Sequence, residues 1–370
     1  MTWQIIRADA RSLPLGDSTV DLIVCSPPYW GLRSYRDDGE HYSGQVGSES
    51  TPQQFVDGLV AMIDGEWRRV LKRSGSMFLN LGDKYAGSGG HNNDGISAKS
   101  TLAGHGHVGG VAKDGSANKI RATRRNGPDT YPKGLDSARP KSLLGLPWRI
   151  ALALIDRGWI LRAEIVWSKP NGLPESVRDR VRRSHEQVFH FTLEPSYYSA
   201  VDRIREPQVR PIPEPIEGHR HQKKGAGGSH IETSLADKTG GINDSLMGSG
   251  MVWTNPLGRL PGSVWTIPTQ PLIIPDEHKQ HYDLPDHFAA FPPELVRRVV
   301  LGWSPEDGMV LDPMCGTGTT LGVAHKMGRH GIGVDLSLDY CRLAEWRVGV
   351  SNHFDQIDDR TAAEQQMVML

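Results

Sequence analysis

Apolar and polar positions in this chain follow two rhythms that alternate. Residues 3–7 and 20–25 are apolar-rich runs of strand length, and the second stops abruptly at Ser26-Pro27-Pro28. Prolines cannot continue a central ladder, so the chain must open into a loop there. From 55 to 71 the residues Phe55, Leu59, Met62, Ile63, Trp67, Val70 and Leu71 keep helical spacing, and 75–81 follows as a buried strand. Further on, 143–157 predicts a helix closed by Gly158, and 160–167 and 187–192 predict strands. The last third reads as helix 294–301, strand 309–311, a glycine-bearing turn 312–320, helix 321–327 and strand 331–334 ending at Asp335. This order predicts an α/β fold, a doubly wound and mostly parallel sheet with ligands at the carboxyl ends of its strands.

Two stretches break the rhythm. Residues 84–140 are rich in Gly, Ser, His and Asn, and 202–262 are rich in Pro and Gly; both predict irregular insertions. The expected core is therefore 1–83, 141–201 and 263–352, with 353–370 as a tail. Composition narrows the setting. No apolar run approaches the roughly 20 residues of a membrane span, and the N-terminus lacks a basic stretch followed by an apolar one, so a soluble, cytoplasmic protein is expected. Cys25, Cys315 and Cys341 are far apart and form no Cys-x-x-Cys pair, which predicts buried thiols. The pairs His105/His107 and His219/His221 offer two ligands each, so no metal is expected. A net charge of -1 means that any affinity for nucleic acid must come from local basic clusters.

Chemistry concentrates in two motifs. In Asp312-Pro313-Met314-Cys315-Gly316-Thr317-Gly318-Thr319-Thr320 a strand runs into an acidic residue and two glycines before a helix. Such a turn brings backbone close to a ligand, and Thr319 and Thr320 are placed to cap the helix start. It has neither the Gly-Lys-Thr ending of a phosphate loop nor three dinucleotide-type glycines. Asp335 ends the next strand, about 20 residues on, where a carboxylate can accept both hydroxyls of a ribose. Ser26-Pro27-Pro28-Tyr29 is the second motif. Its rigid prolines leave carbonyls that no amide can claim, and a hydroxyl, the Pro27 carbonyl and a phenol ring together suit a planar ring bearing an amino group.

Together these motifs resemble those of the DNA amino-methyltransferases, which make N4-methylcytosine or N6-methyladenine. Ser26-Pro27-Pro28-Tyr29 is similar to their catalytic (S/D/N)PP(Y/F) motif, and the 312–319 turn to their cofactor motif, with Met314 where the family usually has Phe. The catalytic motif comes first, as in the permuted beta class, which implies a circularly permuted, Rossmann-like fold that binds S-adenosylmethionine. The resemblance assigns Asp9 to the cofactor's adenine amino group, and Asp312, Met314, Gly316, Thr317, Gly318, Thr319 and Asp335 to the cofactor pocket. Phe291, in a segment like the one preceding the family's cofactor loop, is expected to help close that pocket. Ser26 resembles the cytosine-N4 subset, since adenine-N6 enzymes more often begin this motif with Asp.

The implied reaction is direct methyl transfer to the exocyclic amino group of a base flipped out of double-stranded DNA, without a covalent enzyme intermediate. Cys25, at the buried end of a strand, is read as structural rather than as the nucleophile of ring-carbon methylation. DNA contacts are expected from Arg178, Arg180, Arg182 and Arg183, and from Arg121, Arg124, Arg125, Lys223 and Lys224 in the insertions, while Lys169 is expected to reach the DNA or the target pocket; 202–262 is the first choice for target recognition, with 84–140 next. A restriction endonuclease is the partner such an enzyme would have. The rival readings are adenine-N6 methylation, protein glutamine methylation and an idle DNA-binding module that retains the fold.

Overall fold

In a computed structural model of the chain, residues 2–31, 44–86, 134–172, 174–175, 177–207, 255, 257–280, 290–349 and 354–357 are described, with the backbone alone for 36–37, 40–41 and 281–282. Backbone contacts divide the chain into two units, one of residues 1–200 with 262–359 and one of 201–261 with 360–370. In the second, a 3-10 turn at Val201–Ile204 leads to Glu206, which bridges to Arg259 through backbone and side chain. The Arg121, Arg124, Arg125, Lys223 and Lys224 clusters and both His pairs lie outside the described residues.

The first unit is an α/β fold. Its elements are β1 (Trp3–Arg7), β2 (Val20–Cys25), α1 (Pro52–Met62), β3 (Leu71–Leu81), α2 (Leu146–Asp156), β4 (Ile160–Ser168), β5 (His185–Thr192), β6 (Val264–Thr266), α3 (Pro293–Trp303), β7 (Met309–Asp312), α4 (Thr319–Lys326), β8 (His330–Asp335) and α5 (Leu338–Gly349). They build one eight-stranded sheet in the order β1-β8-β7-β2-β3-β5-β4-β6. Pairing is parallel except where β5 runs antiparallel between β3 and β4. The fold is thus the doubly wound, mostly parallel α/β sheet that the sequence predicts. β2 is buried along nearly its whole length, as a central strand covered on both faces must be. Its pairing of Leu22 with Val310 and Ile23 with Leu311 brings the ends of the two motif-bearing strands side by side.

Several boundaries differ from the sequence reading. The helix expected over 55–71 starts at Pro52, behind the Thr51 side chain that accepts from the Gln54 amide, and passes into a π-turn at Ile63–Trp67. That turn buries the Trp67 indole, whose N–H donates to the Ala10 carbonyl at 3.2 Å, and Leu71 belongs to the next strand. α5 and the three-residue β6 were not expected. Among the described residues no helix is long and apolar enough to cross a membrane.

Candidate active site

Where β7 ends, Asp312 is buried, its Oδ1 accepting from the Met314 amide at 3.2 Å and its Oδ2 from the Thr320 hydroxyl at 2.7 Å. Burial pushes this carboxyl up to about 7, against the hydrogen bonds from Thr320, Met314 and the Cys25 thiol, and nearby Asp335 adds to the rise. Thr319 and Thr320 are not caps. Gly318 is the N-cap residue, with φ +73°, and no side chain caps from it; Thr320 instead ties the helix to Asp312. A Cβ on Gly318 would lie 3.0 Å from that of Ala344, so the turn needs glycine both for its left-handed backbone and for α5 to approach. Thr317 and Thr319 are held by Arg347 of α5, whose guanidinium donates to their hydroxyls at 2.7 and 2.6 Å. Burial lowers the pKa of that guanidinium to about 10.

Asp335 sits at the end of β8, one strand over. Its Oδ2 accepts from the Gly316 amide at 2.9 Å and its Oδ1 from the Ser337 amide at 3.0 Å, which fixes the carboxylate against the turn. Asp9, beyond β1, is paired in bidentate fashion with Arg11 and also accepts from the Arg11 amide. That hydrogen-bonded pair outweighs burial and keeps the Asp9 carboxyl below its ordinary value.

On the other side of the β2–β7 junction, four polar side chains meet. The Tyr29 hydroxyl donates to Glu186 Oε2 at 2.8 Å and lies 3.4 Å from the Ser26 hydroxyl. Asn80, near the end of β3, directs its amide nitrogen at Tyr29, Glu186 and Ser26 at 2.8, 2.9 and 3.2 Å. Its Oδ1 is buried and finds no hydrogen-bond partner among the described residues, a situation that costs free energy unless a donor arrives. Lys169 forms an ion pair with Glu186 Oε1 and sits 4.1 Å above the ring of buried Trp167. Burial pushes the Glu186 carboxyl up; the Lys169 ammonium, with hydrogen bonds from Asn80 and Tyr29, outweighs it and brings the group below its ordinary value.

Tyr29 is wedged as well as hydrogen-bonded. A Cβ on Gly82 would fall 2.4 Å from its Cε2 and 2.6 Å from its Cδ2. Gly82→Ala must therefore displace the ring, and we expect turnover to fall by about 10²-fold from misplacement of that side chain, with ligand binding on the Asp312–Asp335 side unchanged in a titration.

Both clusters line one cavity of about 860 Å³. Asp9, Ser26, Pro27, Pro28, Tyr29, Lys169, Arg183, Phe291, Asp312, Met314, Gly316, Thr317, Thr319 and Asp335 all border it. Gly318 does not; it faces α5. Of the basic residues read as DNA contacts, Arg183 borders the cavity, Arg178 and Arg182 are exposed, and Arg180 stacks on Tyr85 and pairs with Glu175. Lys169 is only 19% exposed, pairs with Glu186 and borders the cavity, the pocket side of the two places expected for it. The Cys25 thiol is fully buried, and burial together with the Asp312 carboxylate keeps it protonated, the opposite of what a nucleophile at a ring carbon needs. Asn80, Gly82, Glu186 and Arg347 were not singled out from the sequence.

The cleft lies at the carboxyl ends of a doubly wound sheet, bordered by a strand-turn-helix with an acidic residue on the adjacent strand, where such sheets bind nucleotide-like ligands. Residues 20–345 match the family model described as DNA methylase, of the N6/N4 methyltransferases. The chain belongs to that family, so its substrate is DNA and its methyl donor is S-adenosylmethionine. Similar proteins include the type II methyltransferase M.SmaI of Serratia marcescens, 34% identical over 93% of this chain and 90% of that protein. M.Cfr9I of Citrobacter freundii is also 34% identical, over 90% of this chain and 82% of its own length. The fold is similar to that of PvuII DNA methyltransferase (cytosine-N4-specific), with a TM-score of 0.55 at 14% identity over 95% of this chain and 88% of that one.

The donor set fits the cofactor. Burial, with a smaller contribution from nearby Asp335, disfavours the ionised form of Asp312, and a ligand carrying positive charge would offset that cost. S-Adenosylmethionine carries a sulfonium and an ammonium, together with the ribose hydroxyls that suit the fixed Asp335 carboxylate.

Proposed function

We propose that the protein methylates the exocyclic N4 of cytosine in duplex DNA, with Ser26-Pro27-Pro28-Tyr29 holding a flipped base. The observation that carries this reading is that the Ser26 hydroxyl, the Pro27-Pro28 turn and the Tyr29 ring border the same cavity as the Asp312–Asp335 turn. The Ser26 hydroxyl and the Pro27 carbonyl are oxygens able to accept from an N–H donor, and an amino group of a base is such a donor. Asp335 and Thr317 would hold the cofactor's ribose and amino-acid ends and Phe291 its adenine; when bound, the cofactor supplies an electrophilic methyl group. The part of Asp9 would be to shape the adenine pocket through its locked pair with Arg11.

The amino nitrogen of cytosine is a poor nucleophile because its lone pair is shared with the ring. Acceptance of its protons by Ser26 and the Pro27 carbonyl favours a pyramidal nitrogen with the lone pair released for attack. The Tyr29 ring, held by Gly82 and Glu186, offers a surface on which the flipped base regains part of its lost stacking. Ser26 at the head of the motif, rather than Asp, favours cytosine over adenine. Arg178, Arg182 and Arg183 are the described residues we assign to DNA phosphates, and 202–262 the segment we assign to target recognition.

The test is product identification. Duplex DNA incubated with the protein and S-adenosylmethionine, digested to nucleosides and analysed by mass spectrometry, should contain N4-methylcytosine. N6-Methyladenine in its place overturns the choice of base and leaves the family assignment standing.

A further inference from the structure

We infer that Glu186 is the proton acceptor of the site, taking through Tyr29 and Ser26 the proton that the target amino nitrogen loses on methylation. The inference rests on the reading that Ser26-Pro27-Pro28-Tyr29 holds the target base.

The direction of the hydrogen bonds carries it. Tyr29 gives its hydroxyl proton to Glu186 Oε2 at 2.8 Å, so its oxygen faces Ser26, 3.4 Å away, as an acceptor. The chain Ser26 Oγ, Tyr29 Oη, Glu186 Oε2 is therefore oriented from the catalytic loop toward the carboxylate. Asn80 cannot serve in its place: the amide nitrogen facing Ser26 and Tyr29 is a donor with no lone pair to offer. Glu186 is 18% exposed and bears Lys169 on its other oxygen, so between turnovers it stays ionised and ready to accept.

The step balances as follows. The nitrogen lone pair forms the N–CH3 bond while the donor's S–CH3 bond breaks, leaving the nitrogen with a formal positive charge. One N–H proton then passes to Ser26 Oγ, the Ser26 hydroxyl proton to Tyr29 Oη, and the Tyr29 proton to Glu186 Oε2. A neutral methylamino group and a neutral carboxylic acid result, and the acid returns its proton to water. A protonated amino group on a heteroaromatic ring is a strong acid, so even a carboxylate below its usual pKa is base enough. Ser26 alone, with no charge at the head of the motif, has nowhere to send that proton; Glu186 places the missing charge two hydrogen bonds away.

Glu186→Gln separates this role from a structural one, because glutamine keeps an acceptor for Tyr29 and loses the capacity to take a proton. Single-turnover methyl transfer to duplex DNA should fall by about 10²-fold or more, while affinities for S-adenosylhomocysteine and for the duplex stay within about threefold of the wild type. Tyr29→Phe, which keeps the ring and removes the relaying hydroxyl, should show the same pattern, and the double variant should be no slower than the slower single one. Glu186→Asp should recover part of the lost rate. A Glu186→Gln rate within about threefold of wild type, or a loss confined to DNA affinity, overturns the inference; if that variant does not fold, an undiminished Tyr29→Phe rate overturns it. An absence of amino-methylated product from the wild type would instead defeat the underlying reading.

Discussion

Alanine at Ser26 lowers the single-turnover rate of methyl transfer by about 10²–10³-fold, the cost of removing one preorganised partner of a reacting group. The substitution deletes an oxygen that lies at the meeting point of Asn80 and Tyr29, 3.2 and 3.4 Å from them. It leaves the proline turn and the Asp312–Asp335 side of the cavity untouched. Cofactor and DNA affinities should therefore stay within about threefold of the wild type, and a rapid-quench assay with radiolabelled S-adenosylmethionine reads the rate directly. Full activity in Ser26→Ala would remove the catalytic loop from its assigned role.

The second large effect is expected at Asp335. Asp335→Ala removes the acceptor that fixes the Gly316 amide and the Ser337 amide, together with the carboxylate assigned to the ribose. A charged hydrogen-bonding group of this kind contributes about 1.5–3 kcal/mol, so S-adenosylmethionine binding should weaken by roughly 10–150-fold. Calorimetric titration of the cofactor checks this, and S-adenosylhomocysteine should lose affinity in parallel because it carries the same ribose. Unchanged affinity would assign Asp335 to the turn alone. At saturating cofactor, methyl transfer should recover most of its rate, which distinguishes this variant from Ser26→Ala.

Much of the fold could be read because its strands announce their own ends. Trp3–Arg7 and Val20–Cys25 have the same bounds in pattern and in structure, one followed by an acidic turn and the other stopped by Pro27 and Pro28. The same punctuation at Gly158 and at Gly316 and Gly318 located the neighbouring helices to within a few residues. α5 escaped because its inward face is mixed: Tyr340, Leu343 and Trp346 share it with the buried cation Arg347, so no clean apolar stripe shows. Ser337, whose hydroxyl accepts from the Tyr340 amide, was the available signal for its start.

In the site, the residues legible in the sequence were those set by backbone chemistry: the proline turn, the glycine turn and the acids that end strands. Glu186 and Asn80 were not, because their roles depend on partners that the chain brings back from afar. Tyr29 and Glu186 are 157 positions apart, and Asn80 and Glu186 106. Glu186 also escapes the usual expectation that functional side chains follow strands. It is the second residue of β5, the antiparallel strand, so the start of that strand shares the rim formed by the ends of its neighbours.

The adjacency of β2 and β7 acts as a ruler. The loop assigned to the acceptor leaves one strand and the turn assigned to the donor leaves the next, and neighbouring strands in any sheet lie about 4.8 Å apart. The gap across which a methyl group must pass is thus gauged by main-chain hydrogen bonds, far more rigid than any side chain lining the pocket. Substitutions in the loops can tune how often the two reactants align, but the span between them belongs to the sheet.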